Sequence, residues 1–186
     1  YYDYQKYPEN DKVHFLYLGR IMKEKGMDEL FSAAKELQRK DVPFVLDLVG
    51  FFEDEYKEKI DQLVSDGIAV FHGFKEDPRP YYAGADCVVL PSYHEGMSNV
   101  LLEAAATGRP VITSNIPGCK EAVDDGKSGF LCEARDWNDL HLKMDKIAYM
   151  NHLEREAMGL CARDKMMQEF DKNKVVKKTI QGIVRV

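Results

Sequence analysis

Short apolar runs alternate with amphipathic stretches along most of the chain. Residues 13–18 predict a strand closed by Gly19. Met27, Leu30, Phe31, Ala34 and Leu37 then recur at helical spacing on one face. Residues 44–49 predict a second strand, apolar except for Asp47 and closed by Gly50. Tyr56, Ile60, Leu63 and Val64 mark a second helix, and residues 68–71 a third strand followed by Gly73. Asp77-Pro78-Arg79-Pro80 predicts the start of a short helix, with Asp77 as cap and Pro78 in the first turn. Residues 87–90 give a fourth strand, 98–107 a helix and 111–113 a strand. A turn over 124–129 feeds a short strand at 130–131. From Trp137 onward the pattern predicts two or three helices.

Continuous apolar strands separated by helices imply an α/β fold, with a doubly wound parallel sheet buried on both faces. Crossovers in such a sheet are right-handed, and ligands bind beyond the carboxyl ends of the strands. The informative loops therefore follow Leu18, Val49, Phe71, Leu90 and Thr113.

The length of 186 residues suits one sizeable domain. The formal net charge of -6 gives no footprint for broad nucleic-acid binding, yet leaves room for a small basic pocket. No apolar run approaches the ~20 residues that span a bilayer, and no secretion signal opens the chain. It begins instead on Tyr1-Tyr2-Asp3-Tyr4 without an initiator Met, which is expected of the interior of a longer protein cut at a linker. Cys87, Cys119, Cys132 and Cys161 show neither paired nor metal-ligand spacing, as expected for reduced thiols in the cytoplasm. Cys119, in a pocket loop, reads as a passive small residue before a reactive thiol.

The richest segment is Pro91-Ser92-Tyr93-His94-Glu95-Gly96-Met97-Ser98-Asn99-Val100-Leu101-Leu102-Glu103-Ala104. It leaves a strand, turns through Gly96 and starts a helix whose first free N–H groups form an anion site. Glu95 and Glu103 flank that site, and a carboxylate accepts from two hydroxyls at once, as sugar or ribose diols require. Solvated glutamates are the plainer reading, but Leu101-Leu102 and Ala104-Ala105-Ala106 make a casual Glu103 unexpected. A second segment, Gly19-Arg20-Ile21-Met22-Lys23-Glu24-Lys25-Gly26, leaves the first strand. Gly19 admits a ligand close to the backbone, while Arg20 and Lys25 supply fixed positive charge for a diphosphate. The chain contains no Asp-x-Asp, no Gly-x-Gly-x-x-Gly and no Walker-type loop. A bound diphosphate would thus be neutralised by Arg20, Lys25 and the helix terminus, with no metal or other cofactor.

In this order the motifs resemble the C-terminal domain of family 4, or group 1, retaining glycosyltransferases. The landmarks are the Gly19-Arg20 to Lys25-Gly26 loop, the strand ending at Gly50, Val70-Phe71-His72-Gly73-Phe74 and Ala85-Asp86-Cys87-Val88-Val89-Leu90-Pro91-Ser92. Glu95 and Glu103 follow, then Ala106-Thr107-Gly108-Arg109-Pro110-Val111-Ile112 and Pro117-Gly118-Cys119-Lys120-Glu121. The resemblance implies a Rossmann-like C-terminal half of a two-domain GT-B enzyme that binds a nucleoside-diphosphate sugar. It implies that Glu95 contacts donor-sugar hydroxyls, Glu103 the ribose, and Arg20 and Lys25 the diphosphate. Gly96, Met97, Ser98, Asn99 and Val100 would lend backbone N–H groups, with Gly19, Gly50 and Phe74 completing the donor site. Arg20, Lys25 and Glu95 are the catalytic candidates. Two departures bear on the donor pocket: Gly50-Phe51-Phe52 stands where many members carry Gly-x-Gly, and Pro117-Gly118 where many carry two glycines.

The organisation expected is an interdomain linker over 1–12, the binding domain over 13–170 and a helical tail over 171–186. The acceptor, a glycan or lipid-linked sugar, would sit on an N-terminal domain outside this chain. Val175, Val176, Ile180, Ile183 and Val184 beside Lys174, Lys177, Lys178 and Arg185 suit either a membrane-surface helix or one packed on protein. The expected location is the cytoplasm, with the inner membrane face open. A nucleotide-sugar epimerase of similar build and a non-catalytic binding module remain alternatives. His94 is placed either on the ligand or in packing, His72 near the base or as a structural residue, and His14, His141 and His152 in no constellation. Tyr81, Tyr82 and Tyr93 are expected in the core or the cleft wall.

Overall fold

In a computed structural model describing residues 2–171, parallel strands form one sheet in the order β3-β2-β1-β4-β5-β6. The strands are β1 (Val13–Leu18), β2 (Phe44–Val49), β3 (Ala69–Gly73), β4 (Cys87–Leu90), β5 (Val111–Ser114) and β6 (Gly129–Cys132). The helices are α1 (Met27–Arg39), α2 (Lys57–Ser65), α3 (Arg79–Gly84), α4 (Asn99–Thr107), α5 (Trp137–Tyr149) and α6 (His152–Glu169). The chain winds outward from β1 to β3, returns through α3 to β4 beside β1, and winds outward again. The strand order therefore reverses between β1 and β4, where doubly wound sheets place their ligand. Register is set by apolar runs buried on both faces, with Val13 opposite Phe44 through to Leu18 opposite Val49. α1 packs with α5 and α4 with α6, covering the sheet in two helical layers.

The expected doubly wound parallel sheet is what the chain forms, with small differences at element ends. α3 starts at Arg79, leaving Pro78 at the cap position, where a residue without an N–H costs no hydrogen bond. Asp77 still accepts from the Arg79 N–H at 3.1 Å. Val64 is exposed, because α2 turns Ile60 and Leu63 onto the sheet and carries Val64 to its flank. The tail from 172 onward lies outside the described residues.

The amino edge of the sheet carries a buried arginine. Arg109 donates to the carbonyl oxygens of Gln5, Lys6, Tyr82, Ala83, Thr107 and Gly108. Tyr7 lies against its guanidinium and donates to the Asp86 carbonyl. The irregular segment ahead of β1 is thereby fastened beneath the sheet, opposite the ligand edge.

One polar cluster interrupts the apolar strands. Asp47 on β2 accepts from His14 Nδ1 on β1 and from His72 Nε2 on β3, each at 2.7 Å. His14 therefore does belong to a constellation, contrary to the sequence expectation. The three residues are far apart in sequence and meet only because the strands are neighbours. Burial pushes the Asp47 carboxyl up, but the imidazole hydrogen bonds outweigh it and leave it below its ordinary 3.8. His14 is raised above 6.5, chiefly by its hydrogen bond to Asp47, with Asp86 adding to the shift and Lys12 opposing it.

Two stability predictions follow from this packing. Protonated His14 stabilises the fold below 6.5, and that contribution fades as pH rises through its folded value. Ionised Asp47 stabilises it above 3.8 and fades as pH falls. Asp47→Asn should therefore cost more stability near ~pH 5 than near ~pH 8, as urea unfolding at both values will read. Gly159 on α6 lies so close to the end of α4 that a Cβ there would come within 2.1 Å of the Gly108 carbonyl oxygen. Gly159→Ala should destabilise by about 1–3 kcal/mol in urea melts, overriding the helix propensity that favours alanine.

Candidate functional site

At the carboxyl edge, β1, β2 and β3 are each followed or closed by a glycine, and the three interlock. The Gly19 N–H donates to Val49 O and the Gly50 N–H to Gly73 O, both at 3.0 Å. Gly50 has φ +142°, and a Cβ on it would come within 1.9 Å of the Gly19 carbonyl oxygen. The buried Tyr17 hydroxyl donates to Arg20 O and fixes the backbone of the next residue. The Arg20 side chain is exposed and makes no hydrogen bond or ion pair with the described residues.

The loop then closes a short turn over Lys23–Lys25 and meets the loop after β4. Gly26, at φ +70°, approaches so closely that a Cβ would lie 2.1 Å from Pro91 O, and the Tyr93 N–H donates to Glu24 O. This contact delivers Lys25 to Glu95. Lys25 Nζ lies 2.6 Å from Glu95 Oε1, and the buried Ser92 hydroxyl donates to the same oxygen at 2.8 Å. The loop after β5 completes the floor. A Cβ on Gly118 would meet Gly96 O at 1.9 Å, and Gly118 O accepts from the Ser98 N–H at 3.1 Å. Cys119 is buried below, its thiol pushed up to about 11 by burial, which matches the passive reading.

α4 begins here. Ser98 is its N-cap, and the side chain makes no capping hydrogen bond. The Ser98 N–H is taken by Gly118 O, while the N–H groups of Gly96 and Met97 ahead of the helix and of Asn99 and Val100 in its first turn find no partner among the described residues, and the helix start carries roughly half a unit of positive charge. Lys25 and Glu95 pair with each other, and Arg20 and this helix terminus supply positive charge beyond that pair. Such a surface is suited to an anion.

Glu103 stands apart from that group. Its Oε2 accepts from the buried Tyr82 hydroxyl of α3 at 3.0 Å, and no hydrogen bond joins it to Arg20, Lys25 or Glu95. Tyr2 lies against the same carboxylate and is pushed up to about 12, first by burial and then by Glu103. Phe74, after β3, is exposed and stacks on Phe51, with ring centroids 4.6 Å apart and planes 8° from parallel. Tyr93 donates to Glu29 at 2.7 Å and takes Arg135 over its ring. His72, bound to Asp47, also packs edge-on against Tyr81, while His94 is exposed. Among the described residues, no group of three or more His, Cys, Asp or Glu side chains is arranged to hold a metal ion.

Sequence reasoning placed Arg20, Lys25, Glu95 and the helix start in one edge, and they lie there. It missed Ser92 and Phe51 as contributors, while Tyr82, expected in the core or the cleft wall, is buried. Phe51 had a signal only in lying between Gly50 and Phe52, the residue that replaces the second glycine of Gly-x-Gly; Ser92 had only its place beside Pro91 in the quoted motif.

Comparison with known proteins agrees with this architecture. The family described as Glycosyl transferases group 1 matches residues 12–148. The capsular polysaccharide biosynthesis glycosyltransferase CapM of Staphylococcus aureus is 32% identical over 166 residues, covering 87% of this chain and 43% of that protein. The chain therefore spans less than half the length of this relative. Anabaena Alr3699/HepE, solved in complex with UDP, superposes with a TM-score of 0.81 at 20% identity, over 95% of this chain and 50% of that one. A C-terminal domain of a glycosyl transferase group 1 family protein, LpcC from Francisella tularensis, superposes at 0.75 and 24% identity, over 86% and 87%.

The close glycine contacts are open to direct test. Gly50→Ala combines a positive φ with a collision against backbone, and should destabilise by about 2–4 kcal/mol in urea unfolding. The neighbouring Gly19–Arg20 segment should lose amide-exchange protection in the same variant.

Proposed function

The chain belongs to the group 1 glycosyltransferases, and from that premise we propose that its carboxyl edge binds a nucleoside-diphosphate sugar for retaining transfer to an acceptor. The observation that carries the proposal is the convergence of Lys25, Glu95 and the uncapped start of α4, with Arg20 on the same loop as Lys25. In transfer, the bond between the anomeric carbon and the leaving phosphate oxygen breaks. Positive charge grows on the sugar and negative charge on the phosphate. Arg20, Lys25 and the α4 terminus would meet the phosphate charge, and preset charges of this kind need no reorganisation as the bond breaks. Glu95 would orient the sugar hydroxyls beside the anomeric carbon, and Glu103 would take the ribose. The Lys25–Glu95 pair gives the two halves of the donor a common hinge. As phosphate arrives, the flexible Lys25 stem can share its ammonium between carboxylate and diphosphate.

Transfer also needs an acceptor held against the donor and water kept out, tasks for an opposing wall. We place that wall, and the glycan or lipid-linked acceptor, on the part of the protein that precedes this domain. We place the reaction in the cytoplasm, and at the inner membrane face where the acceptor is lipid-linked. No metal ion or nucleic acid is assigned to the site.

Three measurements test the proposal. Calorimetry on residues 1–186 with uridine, guanosine and adenosine diphosphates should show binding to at least one, without sugar transfer to a panel of acceptors. No binding even at millimolar ligand would sink the donor site, and efficient turnover would sink the half-enzyme reading. Arg20→Ala should weaken nucleoside-diphosphate binding by about 1.5–3 kcal/mol while sparing the bare nucleoside. Affinity in excess chelator should equal that in magnesium; a strict metal requirement would refute neutralisation by side chains.

A further inference from the structure

Glu95 is held from two directions on one oxygen. Lys25 Nζ, at 2.6 Å, and Ser92 Oγ, at 2.8 Å, both engage Oε1, and Oε2 accepts no hydrogen bond from the described residues. The two partners differ in what else they can do. Lys25 sits on a flexible stem, is partly exposed, and carries a charge that an incoming phosphate attracts. Ser92 is fully buried, two residues beyond the end of β4, and its hydroxyl makes this one hydrogen bond. The backbone beside Ser92 is packed tightly, with Pro91 O against Gly26. Glu95 itself rides on the loop between Tyr93 and Gly96, outside any strand or helix, and its side chain is held by these two hydrogen bonds.

Resting on the donor-site reading above, we propose that Ser92 is a positioning residue for Glu95. Its hydroxyl keeps Oε1 in place when Lys25 turns to the diphosphate, and leaves Oε2 as the acceptor presented to the sugar hydroxyls. A neutral donor has a further advantage over a second cation. It fixes the carboxylate through a charge-assisted hydrogen bond without cancelling the negative charge that faces a sugar turning positive. Ser92 acts only through Glu95, so its effect belongs to the sugar and not to the nucleotide.

The test reads a ratio of affinities. The chain 1–186, Ser92→Ala and Ser92→Thr are titrated by calorimetry with UDP and UDP-glucose, GDP and GDP-mannose, and ADP and ADP-glucose. For the pair that binds the parent chain, Ser92→Ala should lower the ratio of sugar-nucleotide to nucleoside-diphosphate affinity roughly three- to tenfold, the scale of one ordinary hydrogen bond, because Ser92 reaches the sugar only through Glu95. Ser92→Thr keeps the hydroxyl and should restore the ratio. The ratio is taken on one protein sample, so partial unfolding of a variant does not alter it. An unchanged ratio in Ser92→Ala, or an equal loss for both ligands, overturns the proposal and leaves the donor site standing. A threonine variant with normal nucleoside-diphosphate affinity but an uncorrected ratio overturns it as well. A parent chain that binds none of the nucleoside diphosphates overturns the donor site, and this proposal with it.

Discussion

The site exists because backbones touch where no side chain fits. Gly50 lies on Gly19, Gly26 on Pro91 and Gly118 on Gly96, in each case closer than a Cβ would allow. These contacts lock together the loops that leave β1, β2, β4 and β5. Parallel strands alone would leave those loops as independent excursions, each free to drift by the width of a side chain. Locked together, they bring an ammonium and a carboxylate from residues 70 apart in sequence to 2.6 Å, both partly shielded from water. The geometry of the polar groups is thus inherited from main-chain packing. The ion pair is a result of that packing more than a cause, since a partly exposed pair contributes little stability by itself.

Strand order decides what the locked loops surround. β1 and β4 are neighbours in the sheet but are separated in the chain by two strands and three helices. Their exits diverge into helices on opposite faces, the arrangement in which doubly wound sheets form their ligand crevice, here between the loop with Arg20 and Lys25 and the start of α4. Positive charge enters that crevice in two forms. Arg20 brings a mobile guanidinium, whereas the helix terminus brings fixed N–H dipoles that cost nothing to orient. Burial below the crevice is nearly complete, from Tyr17 to Cys119, so the polar layer rests on a rigid apolar base.

Much of this was legible in the chain, for identifiable reasons. The strands β1, β2 and β4 appear at their observed bounds because largely apolar runs ended by glycine or proline admit few alternatives. Charged residues on loops after those strands were placed correctly because a parallel sheet sends every such loop to one edge. What escaped was whatever depends on two strands or helices meeting side by side. The His14–Asp47–His72 cluster joins three strands, and the Tyr82–Glu103 bond joins α3 to α4; spacing along a single element carries no trace of either. The Phe51–Phe74 stack escaped for the same reason, although each ring stands directly after a glycine that the pattern had marked. Helix ends shifted by a residue where proline removed an N–H, as at Pro78.

The clasp at the opposite edge works by a different rule of inheritance. Arg109 binds six main-chain oxygens and no carboxylate. Every residue type supplies the same carbonyl, so the positions that face Arg109 are free to drift in sequence without loosening the grip. The specification rests on two side chains, Arg109 and the Tyr7 that packs on it. A lineage can rewrite the rest of the segment ahead of the first strand many times over while its attachment survives, provided that those two are kept.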